Sequence, residues 1–132
     1  MDAHNLQSEM DALFSTFLPT ELASRFSRLL AMKPAHWLKI DPGKVWGLVD
    51  ARRITDWSAP VGEILESPLF AKHANELVAV LRCGHDDAEL HRIRLQDALL
   101  GPSAVFEGFV SIVPGRLGIA INHDGMLCTL KR

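Results

Sequence analysis

The sequence predicts an α+β domain, an N-terminal helical hairpin packed on a mostly antiparallel β-sheet that ends in a three-stranded C-terminal meander. Three observations carry this. Apolar residues recur at helical spacing over residues 1–33, two-residue alternation dominates residues 104–132, and strong turn pairs (Pro114-Gly115, Asp124-Gly125) divide that last stretch.

The first helix shows its apolar face at Leu6, Met10, Leu13, Phe14 and Phe17, with polar residues between them. Pro19 ends it, because the proline ring disfavours helical geometry at Leu18. Thr20 then reads as an N-cap with Glu21 in the first turn, and a second stripe follows at Leu22, Phe26, Leu29 and Leu30. Two helices joined this closely form a hairpin.

Residues 34–132 predict mainly antiparallel sheet, with one helix near 67–75. Trp37–Ile40 and Val45–Val49 are short apolar runs separated by Asp41-Pro42-Gly43-Lys44, and read as a hairpin. Residues 50–62 read as polar and irregular. Ser67-Pro68 marks a helix start, with Leu69, Phe70, His73, Ala74 and Leu77 as its stripe. Residues 76–100 fit either a hairpin of Leu77–Arg82 with Leu90–Gln96 or two helices stopped by Gly84 and Gly101-Pro102. The valines at 78 and 80, and the alternation Arg92-Ile93-Arg94-Leu95, favour strands.

Ala104–Val113 is long, aromatic and β-branched, and Pro114-Gly115 suits a type II turn, with glycine supplying positive φ. Leu117, Ile119 and Ile121 alternate with small residues, and Asp124-Gly125 signals a second tight turn before Met126–Leu130. Gly118 and Ala120 leave room for a helix or a ligand to approach one face of the central strand.

The chain has 132 residues, 48% of them hydrophobic and 23% charged, with 14 Lys+Arg against 16 Asp+Glu. That is one domain's worth of chain, long enough to build a core without disulfides or metal. The balanced charge argues against a nucleic-acid binder working through a basic stripe. No apolar run reaches the ~20 residues of a membrane helix. The N-terminus has no basic-then-apolar leader pattern, so the two cysteines, Cys83 and Cys128, are expected as reduced thiols in the cytoplasm.

The chemistry-bearing residues form no complete motif. Cys83, His85 and His91, with His123 and Cys128 further on, offer soft and imidazole ligands, but at no standard zinc spacing. His91 shares a strand face with Ile93 and Leu95, and Cys128 with Met126 and Leu130, so the expectation is no metal. Glu107 lies in an apolar strand between Phe106 and Phe109, where a carboxylate could serve as general base with His91 or His36. Pairing with Arg92 or Arg94 across the sheet is the plainer reading. Trp46, Arg52 and Arg53 are candidate ligand-binding residues, although two arginines without a wider basic field suit a solvated loop better. No nucleophile elbow, phosphate loop or other cofactor signature occurs, and no cofactor is expected.

Two functions follow as expectations. The first is a non-catalytic interaction or accessory protein forming a homodimer, with a protein partner also allowed and part of the Phe14, Phe17 and Phe26 face serving as the seam. The alternative is a small-molecule-binding domain or small enzyme, with Glu107, His91 and a tryptophan lining a pocket between helices and curved sheet. Whether the chain is an enzyme is left open by its residues.

Overall fold

The computed structural model describes residues 2–31, 54–83, 88–100, 107–121 and 126–132. Helix α1 spans Asp2–Phe17 and α2 spans Thr20–Leu30. Pro19, not Thr20, holds the cap position, and the Pro19 carbonyl accepts the Ala23 N–H at 2.9 Å. The second helix therefore starts one residue earlier than its side chains suggest.

Among the described residues six strands follow: β1 (Ile54–Pro60), β2 (Leu77–Cys83), β3 (Ala88–Arg94), β4 (Gly108–Val113), β5 (Leu117–Ile121) and β6 (Met126–Lys131). They form one sheet in the order β1-β6-β5-β4-β2-β3, with every pairing antiparallel. The 76–100 region is the strand hairpin, shortened at its far end where Leu95–Leu99 turns into helix α4. The C-terminal meander is β4–β5–β6. Its first turn has Gly115 at φ +72°, and the Arg116 N–H donates to the Val113 carbonyl at 2.9 Å, as a type II turn requires.

Two expectations change. Part of the 50–62 segment is strand β1, paired with β6 through two register shifts and ending at Pro60. Its own alternation, Asp56 and Ser58 against Trp57 and Ala59, is short, and the β6 backbone supplies the order. The helix near 67–75 is regular only over Pro68–Ala71 (α3), preceded by a 3-10 helix at Val61–Glu66. Beyond Ala71 the chain descends in three-residue turns, with the His73, Ala74 and Glu76 N–H groups bonding three residues back. The hairpin at Trp37–Val49 lies outside the described residues, as does the 101–106 part of the long run before β4.

The sheet is covered on both sides. On one face α1 and α2 bury Leu6, Met10, Leu13, Phe14, Phe17, Phe26, Leu29 and Leu30 against Ala79, Leu81, Phe109, Ala120, Cys128 and Leu130. Phe14, Phe26 and Phe109 meet edge to face, with ring centroids 5.4, 5.3 and 6.2 Å apart. On the other face Ile64, Phe70, Leu95, Ala98 and Leu99 pack on Val78, Val80, Val110, Ile119, Ile121 and Leu127. The helix hairpin, the sheet and the short helices make three layers.

Small residues seat α1. Ala79, Ser111 and Gly118 stand side by side across β2, β4 and β5. A Cβ on Gly118 would lie 2.7 Å from Leu13 Cδ1 and 2.9 Å from the Val110 carbonyl oxygen. The expected close approach is therefore made by a helix, and Leu13 fills the space. Ser111 donates to the Glu9 carbonyl at 3.4 Å, and Glu9 pairs with Arg92 on β3.

Candidate functional site

The residues singled out by sequence do not converge. Glu107 precedes β4, and its carbonyl accepts the Cys83 N–H at 2.9 Å. His91 lies on β3, beyond β2, opposite Val80. Two strand spacings across and three residues along place their Cα atoms roughly 14 Å apart, too far for one acid–base pair. Arg92 pairs with Glu9 instead of Glu107. His36, Trp46, Arg52 and Arg53 lie outside the described residues.

The cysteine–histidine set is divided by the sheet itself. Cys83 belongs to the face under α1 and α2. His91 belongs to the opposite face, with Ile93, because alternation on β3 sends Leu90 and Arg92 toward α1 and its odd-numbered residues away. His85 and His123 lie outside the described residues. Among the described residues no three His, Cys, Asp or Glu side chains come together as a metal site. Both cysteines are buried on the helix face, and neither is joined in a disulfide.

His91 sits in a small polar group at the β2–β3 edge. Arg82 and Glu89, directly paired across the two strands, share its face. Burial holds the imidazole below its ordinary pKa of 6.5, the Arg82 charge adds to this, and Glu89 opposes it. Among the described residues its buried Nε2 has no hydrogen-bond partner. At the other end of β3, His73 pairs with Glu76 in the turns leading into β2.

The two sheet edges differ in kind. The β1 edge is interrupted by two register shifts and closed by a proline. The β3 edge runs through seven consecutive pairs with β2 without a shift and without a proline, and among the described residues nothing pairs with its outer side. Leu77, 62% exposed, flanks it on β2.

Of the surface clefts beside the helix hairpin, two carry hydroxyl side chains in their lining. One, of about 220 Å³, is lined by Ser15, Thr20, Ala23, Ser24 and Ser27 between the helices. Nearby, burial raises the Asp11 carboxyl, partly offset by a hydrogen bond from Ser27. The other, of about 410 Å³, is lined by Thr16, Pro114, Gly115, Arg116 and Arg132. Arg116 and Arg132 carry no signal in the sequence, because a two-residue turn at Asp124-Gly125 would set Leu117 opposite Arg132, whereas the observed register, with Gly118 opposite Leu130, sets Arg116 there. No family model, curated protein or solved structure matches the chain.

Proposed function

We propose that the chain is a non-catalytic interaction protein that forms a homodimer through the outer edge of β3. The supporting observation is the contrast between the two edges. Sheet edges in proteins that avoid pairing carry bulges and prolines, as β1 does. β3 has neither, and offers a seven-residue ladder to another strand. A two-fold axis normal to the sheet keeps like faces together, so residues of the same parity oppose. Centred on Leu90, it sets Glu89 of one copy against His91 of the other on both sides of the axis. Glu9 already balances Arg92, which reduces the positive charge along the edge.

The seam does not involve the phenylalanine face. Phe14, Phe17 and Phe26 are at most 1% exposed, packed on the protein's own sheet. Native mass spectrometry and sedimentation over a dilution series test the proposal. The expected result is a concentration-dependent dimer that Glu89→Lys returns to monomer with unchanged circular dichroism. A monomer at every concentration, or a Glu89→Lys dimer as tight as the wild type, sinks it. The alternative, a small-molecule-binding domain, draws support from the arginine-lined cleft.

A further inference from the structure

Arg116 and Arg132 stand at the end of the β5–β6 ladder. Leu117 pairs with Lys131 and Gly118 with Leu130. The Arg132 N–H donates to the Arg116 carbonyl at 2.9 Å, so the pairing extends one step and the two arginines are direct cross-strand neighbours. Alternation puts both on the face of Gly118, Ala120, Cys128 and Leu130, beside the end of α1.

Like charges directly opposite on one face of an antiparallel pair repel. Neither guanidinium forms an ion pair with a carboxylate among the described residues. Both line the 410 Å³ cleft with Thr16 and the Pro114-Gly115 turn. Gly115, at φ +72°, brings that turn against α1, where an added Cβ would sit 3.3 Å from the Thr16 hydroxyl oxygen. Two cations and a hydroxyl thus border one concave space.

We propose that this cleft binds the phosphate group of a small phosphomonoester. A dianion matches two guanidinium groups, whose planar forks bond tetrahedral oxyanions two oxygens at a time. An anion bound between them replaces their mutual repulsion with attraction to both. The carbonyl end of α1 works against an anion with roughly half a charge, and two full charges outweigh it. The volume falls at the small end of the roughly 300–1,000 Å³ of ligand sites and exceeds the need of a bare phosphate, which leaves room for the rest of a small molecule. This site is separate from the β3 edge and does not depend on dimer formation.

Calorimetric titration of the whole chain at fixed ionic strength, first with inorganic phosphate and then with glycerol 3-phosphate, tests the proposal. Both anions are expected to bind saturably, the ester more tightly. Arg116→Gln and Arg132→Gln should each weaken binding by at least about tenfold, and Arg28→Gln, on exposed α2 surface, should leave it as in the wild type. Circular dichroism checks that each variant is folded. Absence of saturable binding, or wild-type affinity in folded Arg116→Gln and Arg132→Gln, overturns the site. Equal affinity for the two anions overturns its assignment to a phosphomonoester.

Discussion

Single buried polar groups on the sheet give the sharpest expectations at the scale of a residue. Thr129 is 1% exposed, and its hydroxyl has no hydrogen-bond partner among the described residues. Thr129→Val removes a desolvated donor while keeping the shape, and should stabilise the fold by about 1 kcal/mol in urea unfolding. His91 gives a pH dependence. Its folded pKa lies below the ordinary 6.5, so folding favours the neutral ring. Its contribution is fully present above the unfolded pKa and is lost as pH falls through 6.5 toward the folded value. Asp11 has the opposite sense at more acidic pH: its raised folded pKa favours folding below 3.8, and that advantage goes as pH rises through the raised value. Between about pH 7.5 and about pH 5.5 the urea midpoint of His91→Gln should fall less than that of the wild type. A parallel decline in both would remove His91 as the cause.

At the scale of elements, α1 and the sheet are fitted to each other through Gly118. The Leu13 side chain can shift, but the Val110 carbonyl belongs to the neighbouring strand and cannot. Gly118→Ala should therefore cost about 1–3 kcal/mol, seen as a lowered urea midpoint. The elements legible in the sequence share one property, that their own side chains announce the period. Leu6, Met10, Leu13 and Phe17 do so for α1, and Leu117, Ile119 and Ile121 for β5. Strand β1 was not legible, because its alternation of Asp56 and Ser58 with Trp57 and Ala59 is short, rests on residues that disfavour strands and stops at Pro60, and its order comes from β6, far away in sequence. The helix after Ser67 was overdrawn for the converse reason. Its start signals are local and correct, but Leu77, read as part of its stripe, belongs to a strand whose partners lie elsewhere.

For the molecule as a whole, the layers explain why candidate residues chosen one by one did not assemble. A sheet covered on both faces separates neighbours in sequence, and sent Cys83 and His91 to opposite sides. The same geometry joined Arg116 to Arg132, which no local motif links. The proposed activities also sit at different places, self-association at the β3 edge and anion binding at the far end of β5 and β6, so loss of one should leave the other intact. The strand order carries a consequence for synthesis. The β2–β3 hairpin and the β4–β5 turn can close soon after their residues leave the ribosome, whereas Ile54 must wait for Leu130. Throughout that interval the nascent chain carries β1 without its ladder partner, in the state where chaperones bind and proteases cut, and the arrival of β6 between two waiting strands is the event that ends it.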